Sequence, residues 1–262
     1  MHYVREGRGS PALVFVHGYC CRHQDWAFQL KELGSTFECV ACDLRGHGET
    51  PGRPDECSIE NYGGDVAALV SMLQIEKPIL IGHSMGCRVV LEANRVMEGK
   101  VSGIVLVDGS RFATGDPAAA EAAARAAIDK EGFAAFSGTL FGEMFVPGSV
   151  NAAEILGRVA KMKPDVPAAL WPRSARWDAG TLEPALDAVR SPLMAIQSTV
   201  RDPVTLKRTS LKSGESSGWL DLLKKKVPRT RVEVIPGVGH FTMLDAPERV
   251  NALISGFAAA CR

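Results

Sequence analysis

The segment that most constrains this chain is Gly82-His83-Ser84-Met85-Gly86. The β-rich run Pro78-Ile79-Leu80-Ile81 leads into it, and the helical stretch Cys87-Arg88-Val89-Val90-Leu91-Glu92-Ala93 leads out. A serine at so sharp a strand-to-helix bend takes a strained backbone conformation. Strand and helix can then approach closely only if the residues two positions either side carry no Cβ, and both are glycine. Ser84 presents its hydroxyl at a helix N-terminus, where outward-pointing N–H groups and the helix dipole favour developing negative charge. An isolated G-x-S-x-G is often an ordinary glycine-rich loop; the flanking strand and helix set this one apart.

The rest of the chain alternates in the way such a turn requires. Ala12-Leu13-Val14-Phe15-Val16 is a short apolar run without helical period, followed at once by His17-Gly18-Tyr19, and it reads as a buried strand ending in a tight turn. Phe37 to Cys42 is the next strand, and Tyr62 to Leu73 has apolar residues at helical spacing. Val101 to Asp108 follows the Ser84 unit as a further strand. Alternation from residue 11 to about 110 predicts an α/β fold with a mainly parallel twisted sheet and helices on both faces. From Phe112 to Pro184 it stops, and Ala-rich helical stretches such as Ala118 to Lys130 take over. This divides the chain into a core, residues 1–111 and 185–262, and an inserted helical cap, residues 112–184. Pro192 to Gln197 and Arg231 to Ile235 resume the sheet, separated by a polar loop, Arg208 to Gly218, and a helix, Trp219 to Lys226. The last strand runs into Pro236-Gly237-Val238-Gly239-His240-Phe241.

Together these segments resemble the α/β-hydrolase fold, in its compact esterase and C–C hydrolase form, over nearly the whole length. The resemblance is carried by His17-Gly18, by Asp43-Leu44-Arg45-Gly46-His47-Gly48, which is similar to the D-x-R-G-x-G loop of that family, by the Gly82 to Gly86 turn, and by Pro236 to Phe241. It implies Ser84 as nucleophile and His240 as general base. Of the six histidines, only His240 combines the loop after the last strand with the family's order of serine, acid and histidine. The oxyanion donors it implies are the backbone N–H groups of Tyr19 and Met85. Two residues compete for the orienting acid. Asp202, in Ser198-Thr199-Val200-Arg201-Asp202-Pro203, follows the strand after the cap, where relatives commonly carry it. Asp108 ends the strand directly after the Ser84 unit. The long polar loop beyond Asp202 departs from the short acid loop of typical relatives, which favours Asp108.

The expected activity is hydrolysis of a small carboxylic ester through an acyl-enzyme, without metal or organic cofactor. The alternatives on the same residues are cleavage of a C–C, amide or lactone bond, and a ligand-receptor role. An epoxide or halide hydrolase would want an aspartate at position 84. A C–C hydrolase gains support if Arg88, Arg173 or Arg176 faces the pocket to hold a substrate carboxylate. Cap aromatics and methionines, including Phe133, Phe136, Phe141, Met144, Phe145, Met162, Trp171 and Trp177, supply candidate pocket walls, although most are expected to pack helix on helix.

Composition narrows the partners. Lys+Arg and Asp+Glu each number 30, so there is no basic footprint for nucleic acid, and a small-molecule substrate is the expected ligand. No apolar run reaches the length of a membrane span, and Met1 to Gly7 lacks a signal peptide's apolar stretch, so a cytoplasmic location is the default expectation. Nothing in the pattern specifies an oligomeric state. The seven cysteines form no disulfide framework; Cys39-Val40-Ala41-Cys42 has C-x-x-C spacing inside an expected buried strand and reads as core packing, and Cys20 and Cys21 as small loop residues near the pocket mouth.

Overall fold

The computed structural model describes residues 1–202 and 207–261; Pro203, which the sequence reading set beside Asp202, lies outside the described residues, as does Arg262. Its strands are β1 (Tyr3–Glu6), β2 (Leu13–Val16), β3 (Cys39–Cys42), β4 (Ile79–His83), β5 (Gly103–Val107), β6 (Leu193–Gln197), β7 (Thr199–Arg201), β8 (Arg208–Ser210) and β9 (Arg231–Val234). Its helices are α1 (Ala27–Leu33), α2 (Ile59–Met72), α3 (Met85–Val96), α4 (Pro117–Glu131), α5 (Phe133–Gly142), α6 (Ala152–Ala160), α7 (Asp165–Gly180), α8 (Leu182–Asp187), α9 (Gly218–Lys226), α10 (Thr242–Asp245) and α11 (Pro247–Ala260).

Seven strands form one sheet in the order β1-β3-β2-β4-β5-β6-β9. All neighbouring pairs run parallel except β1 with β3. β2, β3, β4, β5 and β6 are buried at every residue, which is why they read as continuous apolar runs and not as alternating ones. Helices cover both faces: α1 packs with α11, and α2, α3, α8 and α9 pack in succession. The chain steps from β2 outward to β3, then crosses back over β2 to β4. That reversal opens a crevice at the carboxyl ends of β2 and β4, the place where open parallel sheets bind ligands.

Helices α4 to α7 all fall between β5 and β6, with α4 packed along α7 and α5 against α6. α8 belongs with the sheet-covering helices, because it packs on α3 and α9. The region read as a polar loop from Arg208 contains more order than expected. β7 and β8 pair antiparallel, Thr199 with Ser210 and Arg201 with Arg208, as a hairpin rising from the end of β6. The N-terminal strand β1 was also not anticipated; four residues with two exposed give only a weak pattern.

Candidate active site

Four parallel strands deliver the site residues to one edge of the sheet. His17, Ser84 and Asp108 each directly follow the last residue of β2, β4 and β5, and His240 lies on the loop after β9. Ser84 has φ +54° and ψ −113°, the strained conformation that the flanking glycines permit. A Cβ built on Gly82 would lie 2.2 Å from the Gly86 carbonyl oxygen, and one on Gly86 2.4 Å from that of Val16. Both distances are impossible for a real side chain, so strand, helix and the neighbouring β2 turn meet only because these positions are glycine. The turn after β2 comes equally close: a Cβ on Gly18 would be 3.2 Å from the Ser84 Cβ.

His240 is buried and bridges the other two groups. Its Nδ1 lies 2.6 Å from Asp108 Oδ2 and its Nε2 2.8 Å from Ser84 Oγ. The carboxylate fixes the tautomer: Nδ1–H donates to Asp108, which leaves the Nε2 lone pair facing the serine hydroxyl. Asp108 is itself buried, at φ +46°. Its Oδ1 accepts the backbone N–H groups of Ser198 and Thr199, each at 2.8 Å, and its Oδ2 accepts the Thr199 hydroxyl at 2.5 Å. The Arg208 guanidinium stands 3.5 Å from Oδ2. Burial alone would raise this carboxyl, but the bond from His240, the positive charges around it and the Thr199 hydroxyl outweigh it and hold the group down at about 2. For His240, burial and then the Arg208 charge push the imidazole below its ordinary value, against the pull of Asp108.

Asp202 is exposed at the end of the β7 strand, its N–H bonded to the Lys207 carbonyl, so it is Asp108 that the fold brings to the imidazole. Tyr19 and Met85 both line the pocket beside Ser84. Met85 is the first residue of α3, where a backbone N–H has no carbonyl of its own helix ahead of it.

Other histidines near the site have structural partners. His17 donates Nδ1–H to the Gly18 carbonyl at 2.8 Å and accepts the Leu44 N–H at Nε2, 3.0 Å away, tying the β2 turn to the β3 turn. His83 donates to the carbonyl of His240 at 2.9 Å, its ring 4.8 Å from the His240 ring, so it braces the loop that carries His240. Sequence reasoning assigned His83 no such role, since the contact joins positions remote in the chain. The Asp43 segment is also structural: Asp43 accepts the N–H groups of His23 and Glu49, and Arg45 pairs with Asp65 on α2 at 2.7 Å. His2, His23, Asp43 and Glu49 place one donor atom each within 4.8 Å of one another, a set that suits a metal ion. The same atoms bond each other, as in His23 Nδ1 to Asp43 Oδ2 at 2.9 Å.

The cavity over Ser84 has a volume of about 30 Å³, well below the roughly 300–1,000 Å³ typical of ligand sites. Met144 and Trp171 line it, together with Phe112 and Leu140. Trp177, by contrast, is fully buried against Glu92, and Phe133 and Met162 line a separate hollow. Arg88 lines the pocket, one turn along α3 from Ser84, and is held by a two-pronged bond to Asp178 of α7 at 2.7 and 2.8 Å. Arg173 instead bonds the carbonyls of Pro54 and Cys57, and Arg176 reaches Glu121. Two arginines that the sequence reading did not place in the pocket, Arg201 and Arg208 on the hairpin, also line it. Cys20 and Cys21 are buried and do not line this pocket.

Comparison with known proteins agrees with this architecture. The sequence profile of the Alpha/beta hydrolase family matches residues 13–253. The 2-(acetamidomethylene)succinate hydrolase of Mesorhizobium japonicum is 25% identical over 261 residues, 98% of this chain and 91% of that protein. Epoxide hydrolase 1 of Caenorhabditis elegans is 36% identical over 89 residues, 33% of this chain, so the match spans only 22% of that relative's length. Among solved structures, a thermophilic esterase from Thermogutta terrifontis superposes with a TM-score of 0.81 at 22% identity, covering 99% of this chain and 93% of that one. With a family profile matched over nearly its whole length, this chain belongs to the alpha/beta hydrolase family.

Proposed function

We propose that this hydrolase cleaves a small carboxylic ester through an acyl-enzyme formed on Ser84. The observation that carries the reading is the hydrogen-bonded line from Asp108 through His240 to Ser84, 2.6 and 2.8 Å long. In it, Ser84 attacks the ester carbonyl as His240 Nε2 takes its proton. The same imidazole returns the proton to the departing alcohol, and water then repeats the sequence on the acyl-enzyme. Asp108 stays ionised, holding the ring and its tautomer. The N–H groups of Tyr19 and Met85 receive the oxyanion, and helices α4 to α7 act as a cap that shapes the pocket and limits water. A hydroxyl nucleophile favours this acyl route over epoxide opening, which would call for a carboxylate at position 84. A cytoplasmic setting belongs to the same proposal, since all seven cysteines are free thiols.

An amide as the scissile bond is the second reading. It is favoured by the near full-length relative, whose name specifies an acetamido compound. Labelling of Ser84 by an organophosphonate, together with turnover of 4-nitrophenyl butyrate and of the matching anilide, tests both. Labelling with ester turnover supports the proposal, anilide turnover at a comparable rate moves it to the second reading, and neither label nor turnover refutes both.

A further inference from the structure

Three arginines are among the residues that line the pocket. Arg88 comes from α3, one turn after Ser84; Arg201 and Arg208 come from facing positions of the β7–β8 hairpin, where they pair in register. Arg201 lies over the rings of Phe112 and Trp171, 5.6 and 5.5 Å from their centres, and Arg88 lies 4.9 Å from the Phe112 ring. Asp178 binds Arg88 and the Phe112 N–H, and Asp108, bonded to His240, stands 3.5 Å from the Arg208 guanidinium. Placing three cations around one small cavity is unfavourable in itself. Burial first, and then the charges of Arg208 and Arg88, pull the Arg201 guanidinium down to about 9. An anion in the cavity would reverse that repulsion, and two guanidinium planes set against flat aromatic rings suit a planar carboxylate.

We infer that this pocket takes an ester that carries a second, free carboxylate, held by Arg201 and Arg208 with Arg88 behind them, while its ester carbonyl faces Ser84. The inference rests on the proposed hydrolysis for the word ester; anion capture by the arginines does not depend on it. The arginines orient the substrate, and the bonds broken and formed are those of the acyl-enzyme route.

Two arms place the charge on either side of the scissile bond. Hydrogen glutarate 4-nitrophenyl ester is compared with 4-nitrophenyl butyrate for an acidic acyl group, and 4-acetoxybenzoate with phenyl acetate for an acidic alcohol part. In at least one arm the charged ester should have the higher kcat/KM, by roughly 30-fold, the scale of one charge-assisted hydrogen bond. Arg201→Gln should reduce that ratio to within about 3-fold, Arg201→Lys should restore part of it, and the exposed Arg176→Gln should leave it as in the wild type. Calorimetry of glutarate and of benzoate with Ser84→Ala provides a readout free of catalysis, and binding of either should weaken roughly tenfold or more when Arg201→Gln is added. Charged and neutral esters cleaved equally in both arms, with no binding of either anion, would overturn the inference even if Ser84 proved to be the nucleophile. Anion binding without ester turnover would keep the arginine site and remove the ester-hydrolase reading.

Discussion

In the proposed mechanism, Ser84, His240 and Asp108 divide the work by where burial leaves their charges. Asp108 is fully buried yet ionised because the N–H groups of Ser198 and Thr199, the Thr199 hydroxyl, His240 and the Arg208 cation surround it, and replacing it by asparagine would present an amide to Nδ1 and favour the wrong tautomer. Asp108→Asn is therefore expected to lower kcat by about 10³- to 10⁴-fold, whereas Asp202→Asn, at an exposed position, should change it less than about threefold. Steady-state kinetics of the two variants would reverse the assignment if the larger loss fell on Asp202. The imidazole must be neutral to accept the serine proton. Since burial and Arg208 push His240 below its ordinary 6.5, the neutral form persists to lower pH, and the acid limb of kcat/KM should have its midpoint below 6.5. A midpoint at or above 7 would show that Asp108 outweighs them.

At the scale of single elements, the turn after β4 and the β7–β8 hairpin have different tasks. The first tolerates no bulk: Gly82→Ala sets a Cβ against the Gly86 carbonyl, and it is expected to cost about 2–4 kcal/mol of stability, read as a lower denaturation midpoint. An unchanged midpoint would mean that α3 can shift away from the strand without penalty. The hairpin positions charge. Thr199 donates its backbone N–H and hydroxyl to Asp108 and its Oγ1 also accepts from Arg208 at 2.8 Å, so Thr199→Val removes a clasp on the acid without touching the pocket floor. A fall in kcat of about tenfold with KM nearly constant is expected, because the change acts through the orientation of His240. A rise in KM with kcat intact would instead make Thr199 part of substrate binding. Sequence reading treated this region as a loop because each strand is three residues long, below the length at which alternation is visible. The signal it did carry was the β-branched pair Thr199-Val200 opposite Thr209.

Over the whole molecule, the parallel sheet explains which parts of the site were legible. The Ser84 turn and the His240 loop are local patterns, each adjoining an apolar strand, and they could be read one at a time. The choice between Asp108 and Asp202 could not, because it depends on which strand end the last loop folds against, a contact between residues 108 and 240 that no local pattern encodes. Two of the pocket arginines were not placed there for the same reason: Arg88 was weighed as a pocket residue, but Arg201 and Arg208 reach the pocket only through the hairpin. The core also sets a global acid sensitivity. Burial holds His17 at about 4 and His47 and His83 at about 3, so below pH 6.5 the unfolded chain takes up protons that the folded one refuses. More protons bound in the unfolded state means stability rises with pH, so it is lost as pH falls from 6.5 towards 4, and protonation of Asp108 extends the loss below its ordinary 3.8. Urea denaturation at pH 7 and pH 5 should show a lower midpoint at pH 5; equal midpoints would mean that these rings titrate normally in the folded protein.

The covalent step is open to direct observation. When 4-nitrophenyl butyrate is mixed with the protein, quenched with acid within the first turnovers and digested, mass spectrometry should find a butyryl group on the peptide containing Ser84, and Ser84→Ala should lose both that adduct and at least about 10⁴-fold of the turnover. Ester hydrolysis with no acyl group on Ser84, continuing at the wild-type rate in Ser84→Ala, would contradict the proposal.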